Sequence, residues 1–284
     1  NIDIDLTQSA RYYKKASDSG SIVSMHKYAC MLRDGKGVMK NVNEAKAYFK
    51  KAADKGNSES MLDYGLLIEK DDKTSPDEII KLFYRSAKSG KRADSYYNYG
   101  RLLEYQSDNF KGPVTIDNNL SFTNKEEMMK EAAEMYKIAA DKGNSDAMYR
   151  YALCLSEGKG IEKNLIDSYK YFNGAVCVGN TDAINHAGMA LKDGVGVGKN
   201  LEEARKLFIK GAENGDPVSM TNYALLLIED NNLDEAKKYL FKAAELNENS
   251  SYYHIAKILE KENNKDYLKY YKLSADVAKN MKNT

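Results

Sequence analysis

Three histidines, three cysteines, two Ser-x-x-Lys pairs and one glycine-rich run are the features of this 284-residue chain whose types or spacing could carry chemistry. His26, His186 and His254 could bind a metal or move protons, but they stand in well-separated segments. There is no Cys-x-x-Cys and no His-Glu-x-x-His, the spacings that bring two ligands onto one zinc ion. Ser24-x-x-Lys27 and Ser156-x-x-Lys159 match the opening of a serine-acylase motif. The rest of that signature is missing, so they read as chance pairs. Gly194-x-Gly196-x-Gly198 could cradle a phosphate, but such a loop follows a strand and none reads before it. Gly35-x-Gly37 and Gly158-x-Gly160 are similar runs, which makes all three turns of one repeating design. No catalytic residue, metal or cofactor is expected.

The repeat is best seen in the glycines that stop helices: Gly20, Gly56, Gly90, Gly143, Gly179 and Gly215. Their separations are 36, 34, 53, 36 and 36 residues, and the long one is a unit of 36 with 17 residues inserted. A last copy offers Asn247, the other residue that tolerates a left-handed helix end. The phrase running from Tyr48 through Lys55-Gly56-Asn57 to Tyr64-Gly65 returns from Tyr136 through Lys142-Gly143-Asn144 to Tyr151-Ala152. A fixed period of this size marks stacked supersecondary units with one continuous core, so 1–284 is expected to form a single array with partial units at both ends.

Apolar residues at helical spacing predict the elements that position everything else. They give helices over Thr7–Asp18, Ser24–Arg33, Glu44–Lys55, Ser58–Glu69, Asp77–Lys88, Asp94–Tyr105, Glu126–Lys142 and Ser145–Ser156. Ile166–Val178, Asp182–Leu191, Leu201–Asn214, Val218–Glu229, Leu233–Leu246, Ser250–Lys261 and Lys265–Lys279 complete the series. The short link Lys70–Pro76 replaces the double-glycine turn. Small residues such as Ala45, Gly65, Gly100, Ala139, Gly188 and Ala224 recur where helices must approach closely. Phe49, Phe83, Tyr136, Phe172, Phe208 and Leu240 recur as the residues that fill the space between them. The segment 107–127 breaks the rhythm. Its apolar Phe110, Val114, Ile116, Leu120 and Phe122 favour packing on a neighbouring helix, with binding as a possible role.

A formal net charge of +1 argues against general nucleic-acid binding, which calls for a basic face. No apolar run reaches membrane-spanning length. Three scattered cysteines, Cys30, Cys154 and Cys177, make no disulfide framework and suit a reducing compartment. A cytoplasmic setting is expected. Because the chain starts at Asn1 and reads as a segment of a longer protein, the endoplasmic-reticulum lumen or secretion after loss of a signal peptide is the alternative.

The chain resembles the Sel1-like repeat family, a relative of the tetratricopeptide repeats. Asp34-Gly35-Lys36-Gly37-Val38-Met39-Lys40-Asn41, followed by Glu44-Ala45 through Asn57, carries the resemblance most fully. Glu157-Gly158-Lys159-Gly160-Ile161 and Asp193-Gly194-Val195-Gly196-Val197 repeat its double-glycine turn. The resemblance implies an all-α, right-handed α-solenoid of about seven helix-turn-helix repeats with a concave inner face. A cysteine-rich branch of the family bridges helix pairs from positions equivalent here to Met148 and Val176. Cys154 and Cys177 are off that register, so a bridge between them is not expected.

By analogy with tetratricopeptide repeats, a column of polar residues would face the ligand. Lys27, Asp63, Asn98, Arg150, His186, Asn222 and His254 each stand two residues before the small Gly or Ala of their repeat. Arg101 joins them beside Asn98. An Asn side chain can pair with a peptide backbone through both donor and acceptor, and arginine suits carboxylates. The solvated-face alternative weighs equally. The expected function is a non-catalytic scaffold, a monomer that binds a partner protein or extended peptide and neither nucleic acid nor membrane. The alternatives are a regulatory repeat region of a larger enzyme, such as a kinase-like protein, or a hydrolase with an unfamiliar site.

Overall fold

The computed structural model describes residues 5–71, 74–90 and 92–281. Asn1, Asp72 and Lys73, on which expectations above bear, lie outside the described residues. Two compact units divide between Glu162 and Lys163.

The first unit carries α1 (Leu6–Asp18), α2 (Ile22–Asp34), α3 (Val42–Asp54), α4 (Ser58–Ile68), α5 (Pro76–Ser89), α6 (Ala93–Asp108), α7 (Lys125–Asp141) and α8 (Ser145–Glu157). The second carries α9 (Leu165–Cys177), α10 (Asp182–Asp193), α11 (Leu201–Glu213), α12 (Pro217–Glu229), α13 (Leu233–Glu245), α14 (Ser250–Lys261) and α15 (Tyr267–Met281). Within each unit every helix packs against the next one in sequence. All fifteen expected helices are present, and no end moves by more than three residues.

Local chemistry explains why the chain turns where it does. Asn41, Asn57, Asn144, Asn164 and Asn200 each accept a hydrogen bond from a first-turn backbone N–H of the helix that follows. That satisfies a donor with no partner inside the helix. In the double-glycine turns the two glycines have different jobs. Gly35, Gly158 and Gly194 end α2, α8 and α10 in the left-handed conformation, with φ of 72°, 76° and 75°. The second glycine admits another helix's backbone. A Cβ on Gly37 would lie 2.1 Å from the Leu6 carbonyl oxygen, and one on Gly196 would lie 2.0 Å from that of Leu165.

The core follows the repeated large and small positions. Phe49, Phe83, Tyr136, Phe208 and Leu240 are fully buried. Gly65 and Gly188 face the rings of Phe83 and Phe208, where an added Cβ would come within 2.5 Å and 2.6 Å of a ring carbon. The inserted segment departs from a purely helical chain. It forms an antiparallel hairpin of β1 (Val114–Asp117) and β2 (Leu120–Phe122). As expected it packs on helices, β1 against α5 and β2 against α7, with Ile116 and Phe122 buried. Its turn is tied by Asp117 Oδ1, which accepts from the Asn119 N–H at 2.8 Å.

Candidate partner-binding site

The even-numbered helices carry the polar column, and four of its eight members, Arg101 included, touch the preceding repeat. Lys27 is exposed on α2. Asp63 on α4 accepts from Arg33 Nη1 on α2 at 3.1 Å. Arg101 on α6 places Nη2 2.7 Å from both carboxylate oxygens of Glu69 at the end of α4. Arg150 on α8 lies 3.7 Å from Glu104 on α6. In the second unit Asn222 Nδ2 donates to Asn185 Oδ1 at 2.6 Å, joining α12 to α10.

The others are held locally. Asn98 is buried, donating to the Asp94 carbonyl at 2.8 Å and accepting from Arg101 at 3.2 Å. His186 stacks on Phe172 with ring centroids 4.8 Å apart. His254 lies beside Tyr253, and burial together with Lys257 lowers its pKa. Asp63, Arg101, Arg150 and Asn222 therefore form a seam between repeats, and the charged ends of the first three are only partly offered to solvent. The signal was in the sequence: Arg33, Glu69 and Glu104 each stand six residues after a column position. The first meets an acid of the next repeat and the other two meet arginines.

Two of the column's residues converge on a cleft of about 690 Å³ in the first unit. Glu69, Asp71, Glu104 and Asp108 supply its carboxylates, Arg101 and Arg150 its cations, and Ile79, Leu102 and Tyr105 its apolar surface. Burial works against the Arg150 charge, but Glu104 and the nearby tyrosines outweigh it and raise its pKa. Glu104 also accepts from the buried Tyr136 hydroxyl at 2.5 Å. A second cleft of about 460 Å³ borders the hairpin segment and shares Pro76 and Tyr105 with the first. Gln106 lines it with a buried Oε1 that has no hydrogen-bond partner among the described residues.

One cluster is invisible to the spacing of the histidines, because His26 meets a cysteine of its own helix and an acid of the next repeat. His26 and Cys30 share one face of α2, a turn apart, and Asp63 faces them from α4 with all three polar side-chain ends within 4.8 Å of one another. Burial dominates all three groups, lowering the pKa of His26 and raising those of Cys30 and Asp63. The thiols of Cys30, Cys154 and Cys177 are free. Burial pushes that of Cys154 up to about 12, so it is inert at neutral pH.

The helix pairs, the double-glycine turns and the seam between neighbours define an all-α repeat protein of the solenoid class. The Sel1 repeat model matches residues 2–21, 22–57, 129–144, 145–176, 181–216 and 226–248, more than half of the chain. The chain belongs to the Sel1 repeat family. Proteins of this family are generally scaffolds for protein–protein interaction.

Among solved structures, the chain is similar to c5321, a protective antigen of uropathogenic Escherichia coli strains with an SLR fold. Identity is 21%, the TM-score 0.78, and the match covers 96% of this chain and 57% of the antigen. A Sel1 repeat protein from Oxalobacter formigenes matches at 18% identity and a TM-score of 0.62, over 85% of this chain and 97% of that one. Pseudomonas aeruginosa pilF matches at 15% identity and 0.54, over 77% and 90%. These likenesses concern the fold alone. No curated protein matches the sequence significantly.

Proposed function

We propose that the chain is a non-catalytic scaffold that holds an extended segment of a partner protein on the concave face of its repeats, with the clefts around Tyr105 as the principal contact. The observation that carries this reading is that the two clefts meet at Pro76 and Tyr105, giving one run of surface from Arg150 to the hairpin segment. Tyr105 is 56% exposed there, an aromatic side chain with little conformational entropy to lose on binding.

Charge narrows the partner. Four carboxylates against two arginines leave the larger cleft acidic. A segment carrying lysine or arginine beside an apolar residue answers both the acidic rim and the Ile79–Leu102 surface. A net charge of +1 favours such a partner over nucleic acid. Among the described residues no helix is long and apolar enough to cross a membrane.

Fluorescent peptides that combine basic and apolar residues test the reading. They should bind, and Tyr105→Ala and Glu104→Gln should each weaken binding about tenfold. Equal binding by acidic peptides, or no effect of either substitution, would overturn it.

A further inference from the structure

We infer that His26, Cys30 and Asp63 form a site for a zinc-class divalent ion that clips the first two repeat units together. Imidazole nitrogen, thiolate sulfur and carboxylate oxygen are a donor set that suits this borderline-soft ion.

The distances fit. Cys30 Sγ lies 3.6 Å from His26 Nε2. A tetrahedral ion about 2.0–2.1 Å from nitrogen and about 2.3 Å from sulfur holds those two atoms about 3.5 Å apart. The carboxylate of Asp63 stands beside them, with the three ligand atoms within 4.8 Å of one another. A small turn of its side chain from the Nδ1 side would bring Oδ2 to the third position. Glu59 Oε2 stands 3.4 Å from the same Nε2 but outside this three-residue cluster, so the fourth position is open to solvent.

The surroundings prepare the ligands. Ser60, fully buried, places Oγ 3.0 Å from His26 Nδ1. With Nδ1–H donating to that hydroxyl, the lone pair is left on Nε2, facing Cys30. Ligating histidines are oriented by this kind of outer hydrogen bond. Arg33 engages Asp63 through Oδ1 at 3.1 Å, while Oδ2 lies on the imidazole side, 3.8 Å from Nδ1. Binding would release the Cys30 thiol proton to solvent. The dication then answers the Cys30 thiolate and the Asp63 carboxylate, while Arg33 is shared between Asp63 and Asp34.

The repeat pattern itself does not call for these residues. At the position of His26 the other units carry Leu62, Tyr97, Tyr149, Asn185, Thr221 and Tyr253. At the position of Cys30 they carry Leu66, Arg101, Leu153, Met189, Leu225 and Lys257. The histidine and cysteine coincide in one unit only, and there they meet an acid from the next.

The test uses the whole chain, reduced and stripped with a chelator, then titrated with Co²⁺ and back-titrated with Zn²⁺. One Co²⁺ per chain should bind with a thiolate-to-metal charge-transfer band, and Zn²⁺ should displace it. Cys30→Ser should abolish the band and weaken Zn²⁺ at least about tenfold. Ser60→Ala should weaken it about 10–100-fold, the range for outer-shell partners, and Cys177→Ser should change nothing. Circular dichroism follows folding in each variant, and Cys30→Ser alters a single half-buried atom. No thiolate band, or a band kept by Cys30→Ser and lost in Cys177→Ser, would overturn the site.

Discussion

Arg101 Nη2 lies 2.7 Å from both carboxylate oxygens of Glu69, thirty-two residues earlier in the chain. The pair joins α6 to α4 and also forms part of the wall of the larger cleft. Both side chains are about a quarter to a third exposed. Solvent therefore screens the attraction, and the pair should contribute about 1 kcal/mol or less to stability. A double-mutant cycle with Glu69→Ala and Arg101→Ala, read by urea unfolding, measures it. A coupling several times larger would make the pair a structural clamp and not a surface free to exchange partners.

Gly65 should not tolerate even one added methyl. Alanine is the better helix former by up to about 1 kcal/mol, yet its Cβ would lie 2.5 Å from a ring carbon of the fully buried Phe83. Gly65→Ala is expected to destabilise by about 1–3 kcal/mol through overpacking. Adding Phe83→Leu should recover part of that loss, which chemical denaturation of the three variants would reveal.

The turn glycines separate backbone strain from collision. Gly20 and Gly37 both have positive φ, 96° and 70°. A Cβ on Gly20 meets nothing within 4 Å, whereas one on Gly37 meets the Leu6 carbonyl. Gly20→Ala should cost roughly the 1–2 kcal/mol of a left-handed alanine. Gly37→Ala should cost clearly more, and equal melting temperatures for the two variants would refute the close-approach explanation.

These glycines also mark how far the sequence could be read. The 36-residue spacing, the stop glycines and the recurrent Phe49, Phe83 and Phe208 give the helices and their core directly, since each is a local requirement repeated many times. The hairpin at Val114–Phe122 was not legible as strands, because runs of four and three residues are too short for an alternating pattern. Its packing was legible from Ile116 and Phe122. The site was harder. Arg101 and Arg150, expected from the column as partner contacts, line the larger cleft. The burial of Asn98 and the convergence of His26, Cys30 and Asp63 depend on how one helix rotates against the next, which a single chain does not state.

His254 predicts a pH response in the second unit. Burial, reinforced by Lys257, holds its folded pKa below the ordinary value of about 6.5. The unfolded chain therefore takes up the proton first as pH falls. The stability associated with neutral His254 is complete above about pH 6.5 and declines as pH drops toward the folded pKa. His254→Gln should flatten that part of the stability profile. An unchanged slope between pH 7 and 5 would show that other groups set it.

Tyr105, shared by both clefts, stands in the middle of the proposed partner surface. The most direct test is a photoreactive phenylalanine analogue at position 105, compared with the same group at Tyr12, which is 65% exposed and outside both clefts. In native lysate a covalent partner adduct is expected at 105, absent at 12, and suppressed by an excess of a basic and apolar peptide. Equal adducts at both positions, or none at 105 while the partner still co-purifies, would contradict it.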